Sequence, residues 1–488
     1  MEERKGFGTN FGFLMASVGS AVGLGNIWGF PNKMGASGGF TFLIVYLVLA
    51  VLCGFIVMVS ELALGRKTGK GVVSAYQALS KRFKWVGWLG ILSPFFILFF
   101  YCALGGYCIK YTVLNIGDLF HAGFGANALA ETAVANGHSL GAEVFGAFMS
   151  NPTEAIIFGL IFVALTMLIV MGGVSGGIEK VCSVGMPALF VMLLICIIRA
   201  CTLEGAVDGL KYMFVPGWAV TNGVIDKAPN FFGVLSAAGG QMFFSLSLGM
   251  GIMITYGSYL DKKENLQKNA LLIIIMDTLV ALMAGLCVIP GRFALDPTGS
   301  LGGPKLLFVT MQNVFSRMGP IGPIFGILFY LLVVFAAISS SISLLEAVVA
   351  HFVDNARDAG KGDKRKAYAL IAAVAVGVGA MLICADSLGE ASFTPWRLLN
   401  LPAESIRTWN DCWLDFFDML SEGIMMPLGA LMMTLMVGWE LGPDVVKDEC
   451  EASGHAMASY GFYKVCIKYI TPLCMILVLY GQIKEFFF

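Results

Sequence analysis

Gly19-Ser-Ala-Val-Gly-Leu-Gly-Asn-Ile-Trp-Gly-Phe-Pro31 interrupts the first long apolar run of this chain. Its four glycines, serine, asparagine and proline weaken helix propensity where a bilayer demands a closed ladder of backbone hydrogen bonds. Backbone freed at membrane depth has to line a cavity or bind something. Two readings stand open here. Gly19-x-x-x-Gly23 fits the small-residue face of a closely packed helix pair, whereas Asn26 needs a polar partner that close packing alone does not supply.

Composition settles the class in which this stretch must be read. Hydrophobic residues make up 58% of the 488 and charged residues only 13%, and the mean hydropathy is +0.81. Such a chain is an integral membrane protein. Its apolar runs are too long and too unbroken in polarity for an outer-membrane barrel. A net charge of -1 and the lack of a basic stripe set nucleic acid aside as a partner. The twelve cysteines include no Cys-x-x-Cys and read as small buried hydrophobes. His121, His138, His351 and His455 show no metal-ligand spacing, and no nucleophile elbow or phosphate loop supports enzymatic chemistry. The charged start at Met1-Glu-Glu-Arg-Lys without a small-residue cleavage site predicts that the first span is retained.

The apolar runs lie at about 11–36, 40–64, 87–114, 155–172, 182–201, 230–258, 269–290, 321–351, 367–385, 414–438 and 463–482, which predicts eleven transmembrane helices. Lys and Arg cluster at 65–86, 259–268 and 352–366, all on the side of the N-terminus, while Tyr111 to Glu179 contains neither residue. The positive-inside rule therefore predicts a cytoplasmic N-terminus, an outer loop at 115–154 and an extracellular or periplasmic C-terminus.

Polar residues at membrane depth are costly and concentrate in a few spans. Gln241, Ser245, Ser247, Gly249 and Gly251 interrupt the sixth, Asp277 the seventh, Ser339-Ser340-Ser341 with Ser343 and Glu346 the eighth, and Asp415, Asp418 and Glu422 open the tenth. The serines can simply bond back to carbonyls of their own helix. Asp277 demands more, because no Lys or Arg stands between Lys268 and Arg292; a cation ligand and a protonated relay both remain open. Spans one and six, five apart, both carry the glycine breaks. That is the sequence pointer to an inverted-repeat transporter whose site lies at the bilayer midplane. Carbonyls at the end of a first half-helix suit Na+, and N–H groups opening a second suit a carboxylate.

Gly19 to Pro31, Gln241-Met-Phe-Phe-Ser-Leu-Ser-Leu-Gly-Met-Gly251, Gly177-Ile-Glu-Lys with Pro187, and Phe335-Ala-Ala-Ile-Ser-Ser-Ser341 together resemble the bacterial branch of the neurotransmitter:sodium symporter family, over residues 4 to 480. The resemblance implies an all-α, LeuT-like fold: a five-plus-five inverted repeat with unwound helices 1 and 6, divided as 1–201, 202–438 and an additional span with the C-terminus at 439–488. It implies two Na+ and no organic cofactor. The first ion is expected on the Ala21 carbonyl, Asn26, Ser245 and Asp277; the second on carbonyls of Gly19, Val22 and Ala336 with the hydroxyls of Ser339 and Ser340. An amino-acid substrate is expected among Ser20, Ala21, Leu24, Gly25, Ile97, Tyr101, Phe244, Ser245, Ser247, Gly249, Met250, Ser340 and Leu344. Tyr101 and Phe244 would form an aromatic lid, Arg4 and Asp354 with Phe7 and Tyr259 an inner gate, and Gly177 with Pro187 a hinge that releases the second ion.

Three departures carry information. Asp277 stands where some members have Asn, which implies chloride-independent transport. Gly29 stands where the family usually has the arginine of the outer gate, whose partner matches Asp418; Lys33, one turn on, is the available substitute. The common twelfth span is missing. The function implied is Na+-coupled import of neutral hydrophobic L-amino acids by alternating access, in a bacterial inner membrane, with membrane lipid and no obligate protein partner. A proton-coupled permease and a ligand sensor on the same fold are the alternatives.

Overall fold

The computed structural model describes residues 7–297, 303–361, 364–399 and 411–487, and among these it is built of helices without a strand. The first apolar run folds as two helices, α1 (Asn10–Ala21) and α2 (Gly25–Ala36), bent by 45° to one another. The Thr9 side chain caps α1 by accepting from the Gly12 N–H, and Val22, extended at φ -77° and ψ 101°, ends it. The next spans are α3 (Phe40–Thr68), α4 (Val86–Leu119), α5 (Pro152–Met171) and α6 (Val174–Cys201). The sixth run gives α7 (Phe231–Ser245) and α8 (Ile252–Gly257). Then follow α9 (Leu266–Leu295), α10 (Gly319–Asp358), α11 (Arg365–Gly389), α12 (Trp413–Leu441) and α13 (Tyr460–Lys484).

Among the described residues nine helices are long and apolar enough to cross a membrane, or ten with α1 and α2 as one bent span. The predicted sixth span is the exception. Neither α7 nor α8 reaches spanning length, so a count of eleven requires them to be taken together across the turn between Ser245 and Ile252. Several boundaries also move. The fifth span begins at Val174 rather than 182, because a wide helical turn at Val174–Ile178 runs directly into the rest of α6. The outer loop starts only after Leu119 and folds in part into short helices at Ala130–Asn136 and Leu140–Met149.

Packing follows from small residues where helices cross. A Cβ added at Gly106 of α4 would stand 2.5 Å from the backbone nitrogen of Gly159 in α5, so this pair touches backbone to backbone. The α1 helix packs on α6, α9 and α10, the long α10 lies along α4, and α7 sits between α3 and α13. Both breaks thereby face α4, α9 and α10, the helices that carry Tyr101, Asp277 and the serine run.

Candidate functional site

The break between α1 and α2 divides its backbone groups as helix termini dictate. On the carbonyl side, the Ser340 hydroxyl donates to Gly19 O at 3.2 Å, Ser20 O at 3.1 Å and Val22 O at 3.3 Å. Ser339 donates to Val22 O at 3.3 Å and to Ala336 O at 2.9 Å. Gly19, Val22, Ala336, Ser339 and Ser340, expected from the resemblance to hold one ion, thus form a single knot of oxygens, a donor set that suits a hard cation. On the N–H side, Leu24 donates to the Tyr101 hydroxyl at 2.8 Å and Gly23 donates to Asn26 Oδ1 at 3.1 Å. A Cβ at Gly23 would stand 2.2 Å from both the Tyr101 and the Ser340 hydroxyls, and one at Gly25 would stand 2.7 Å from the Phe244 ring. Only glycine admits this approach.

Asp277, fully buried in α9, closes the start of α2 from the side of Asn26. Its Oδ1 accepts from Asn26 Nδ2 at 2.7 Å, and the Ser245 hydroxyl donates to Oδ1 at 3.1 Å and Oδ2 at 3.0 Å. Tyr46 of α3 donates to Oδ2 at 3.3 Å. Asn26, Ser245 and Asp277 are therefore brought together, while Ala21, the last residue of α1, lines the cavity between the breaks. The carboxyl meets neutral groups only in these contacts.

The second break is more strained than its sequence suggested. Ser247 adopts φ +54°, Gly249 +75° and Gly251 +70°, and a serine in the left-handed region stores strain of the kind found at functional sites. That geometry turns the Ser247 hydroxyl onto Ser20 O at 2.9 Å. Ser20 in turn donates to the Ser343 hydroxyl at 2.7 Å.

Between the breaks lies a narrow cavity lined by backbone at Ser20, Ala21, Gly23 and Gly25, by the side chains of Ile97, Tyr101, Phe244, Met250 and Leu344, and by Ser247 and Ser340. Among the described residues no charged side chain lines it. The Tyr101 and Phe244 rings stand 6.4 Å apart across it. Three residues expected to line it do so indirectly or not at all. Leu24 contributes its N–H to Tyr101. Ser245 turns to Asp277. Gly249 faces away, because its N–H donates to Glu61 Oε1 at 2.8 Å and a Cβ there would stand 2.3 Å from the Met426 carbonyl oxygen.

Above the cavity, Gln241 Nε2 donates to Gly25 O at 2.6 Å and its Oε1 covers Gly29, where a Cβ would stand 2.8 Å away. Gln241 thus fills the space beside Gly29. Lys33, one turn on, pairs with Glu422 of α12. Asp418, named as the family's partner, lies one turn earlier on α12, within electrostatic reach of both. Below the cavity, Arg4 lies outside the described residues. Asp354 accepts from Gly71 N at 2.8 Å and faces Arg357 at 3.7 Å. Phe7 packs edge-on against Tyr259 at 6.2 Å and Tyr256 at 5.5 Å. Gly177 sits in the wide first turn of α6 and Pro187 inside the same helix, which is continuous between them.

Tyr46, Glu61 and Arg365 were not singled out in the sequence. Glu61 carried a usable signal, a lone carboxylate in an apolar run. Tyr46 had none, and Arg365 read as one more positive charge in a loop.

Comparison with known proteins agrees with this geometry. The model of the sodium:neurotransmitter symporter family matches residues 4–121 and 153–395. An uncharacterized sodium-dependent transporter of Bacillus subtilis is 31% identical over 485 residues, covering 96% of each chain. One of Methanocaldococcus jannaschii is 29% identical, covering 91% of this chain and 84% of its own. The crystal structure of MhsT in complex with L-phenylalanine superposes with a TM-score of 0.81 at 31% identity, over 98% of this chain and 100% of that one. The chain belongs to the sodium:neurotransmitter symporter family and is a multi-pass, sodium-dependent secondary transporter of LeuT-like fold, not an enzyme.

Proposed function

We propose that the protein couples the entry of two Na+ to the import of a neutral hydrophobic L-amino acid, without chloride. The observation that carries this reading is the composition of the cavity. Its lining combines freed helix backbone and the Tyr101 hydroxyl with Ile97, Met250 and Leu344, and among the described residues no charged side chain is present to pair an acidic or basic substrate. The substrate carboxylate sits at the N–H groups of Leu24 and Gly25 and at Tyr101, where the helix dipole favours an anion. Its ammonium meets carbonyls of Ala21, Phe244 and Ser247. Leu, Met, Phe, Tyr and Trp are the candidates, since the thioether of Met250 repacks around side chains of different shape. The complex of MhsT with L-phenylalanine supports this class.

The first Na+ takes Ala21 O, Asn26, Ser245, Asp277 and the substrate carboxylate; the second takes the oxygens gathered by Ser339 and Ser340. Because one carboxylate completes the first ion site, substrate and Na+ each raise the other's affinity by the same factor. Asp277 brings a fixed negative charge to that site, which removes the need for an anion. Residues 1–201 and 202–438 act as two inverted five-helix repeats that rock about the site, with the N-terminus cytoplasmic in a bacterial inner membrane. Tyr101 and Phe244 close the outer side with Lys33 and Glu422; Phe7, Tyr259 and Asp354 close the inner side; Gly177 and Pro187 let α6 yield as the second ion leaves.

Proteoliposome uptake tests the reading. Labelled L-phenylalanine or L-leucine accumulates under an inward Na+ gradient with gluconate as the anion. Accumulation driven equally by a pH gradient in Na+-free buffer overturns it in favour of proton coupling, and binding without accumulation overturns it in favour of a sensor.

A further inference from the structure

A second cavity, of about 670 Å³, opens far from the transport site, where the end of α2, the start of α7 and the end of α13 meet. Its volume falls in the range of small-molecule sites, but its lining is that of a membrane groove. Phe232, Val234, Ala237 and Leu477 give it an apolar lining. At its mouth stand Tyr480 and Lys484, the residues of the last turn of a span ending at Lys484. Tyrosine and lysine are the side chains that reach from hydrocarbon to headgroup level. Lys484 is the one charged residue of the lining, which has no carboxylate, and it forms no ion pair among the described residues. Ser37 and Asn230 complete the mouth with neutral hydrogen-bonding groups.

The groove is a built feature of the fold. Gln482 donates to Ser236 O at 3.1 Å, and a Cβ at Gly481 would stand 2.7 Å from that of Ser236, so α7 and α13 are locked together beside it. At Gly233, also in the lining, a Cβ would meet nothing within 4 Å. We infer that this groove binds one anionic phospholipid, its phosphate at Lys484 with Ser37 and Asn230, and an acyl chain along Phe232, Ala237 and Leu477. Charge decides the occupant: a basic side chain with polar neighbours above an apolar trough matches an anionic headgroup above a hydrocarbon tail. The bound lipid bridges α13 to α2 and α7, the half-helices that carry Asn26 and Phe244.

Native mass spectrometry of the full chain, equilibrated in detergent with equal amounts of phosphatidylglycerol and phosphatidylcholine, tests the inference without reference to transport. The wild type retains phosphatidylglycerol about five-fold over phosphatidylcholine, the preference expected of one basic residue at the membrane surface. Lys484→Gln abolishes the preference, Lys484→Arg keeps it, and Gly233→Leu, which fills the open space, lowers retention of both lipids. Lys263→Gln, at an exposed loop elsewhere, changes nothing. Equal retention of both lipids by the wild type, an undiminished preference in Lys484→Gln, or a second copy of the chain filling the groove as a lipid-free dimer overturns it.

Discussion

Glu346 accepts from Arg365 on both carboxylate oxygens, at 2.6 and 3.0 Å, and from the Tyr259 hydroxyl at 2.7 Å. Glu346 is fully buried, and the Arg365 side chain is 15% exposed. The triad ties α10 and the start of α11 to Tyr259, just past α8, on the face where Phe7 packs. Removing one partner of such a pair strands the other charge at a cost of about 3–5 kcal/mol, whereas removing both costs far less. Glu346→Gln and Arg365→Gln are therefore each expected to lower thermal stability in detergent strongly, and the double variant to recover most of the loss. Simple addition of the two single losses contradicts a directly coupled pair.

Asp277 governs a second prediction. With its carboxyl held by Asn26, Ser245 and Tyr46, Asp277→Asn keeps the shape and hydrogen-bonding reach while removing the charge. Uptake is expected to fall about tenfold or more in chloride-free buffer, a loss of about 1.4 kcal/mol in coupling, and to recover in part when chloride is added. Equal uptake by this variant with and without chloride rejects the link between the Asp277 charge and anion independence.

The contrast between Asp277 and Tyr46 shows what was legible in the chain. Glycines at 19, 23, 25, 249 and 251 announce both breaks because glycine weakens a helix wherever it stands, and Asp277 announces itself because a charge at membrane depth needs a reason. Tyr46 is one aromatic among 38 Phe and 14 Tyr, and only the crossing of α3 with α9 makes it a partner. The left-handed Ser247 is hidden for a different cause: local propensity argues against it, and tertiary contacts with Ser20 overrule propensity. Gly29 shows the limit of resemblance. It marked a missing arginine, but the replacement pair of Lys33 with Glu422 depends on how α2 meets α12.

That pair makes its own prediction. Lys33 is 25% exposed and Glu422 9%, so the contact is half-buried and its worth is discounted for solvent. Lys33→Gln is expected to raise the substrate dissociation rate about three- to ten-fold with little change in Na+ dependence, since a gate acts on escape rather than on ion ligation. The swap of Lys33→Glu with Glu422→Lys is expected to restore slow dissociation. Filter-binding chase experiments read both, and an unchanged rate in Lys33→Gln removes Lys33 from the outer gate.

The two sides of the first break separate by substitution. Tyr101→Phe deletes the hydroxyl that receives the Leu24 N–H at 2.8 Å and leaves the ring in place. A hydrogen bond to a charged substrate group is worth about 1.5–3 kcal/mol, so substrate affinity is expected to fall about 10- to 100-fold. Na+ affinity measured without substrate should hold. Ser339→Ala instead deletes a hydroxyl bonded to Val22 O and Ala336 O, outside the cavity lining. It is expected to raise the Na+ concentration for half-maximal binding about tenfold and to leave saturating substrate binding intact. Gly23→Ala, whose Cβ would stand 2.2 Å from both the Tyr101 and Ser340 hydroxyls, should damage both at once. Scintillation proximity binding titrated in Na+ and in substrate distinguishes the three variants. If Tyr101→Phe and Ser339→Ala produce the same pattern, the division of the broken helix into an anion-facing and a cation-facing half is wrong.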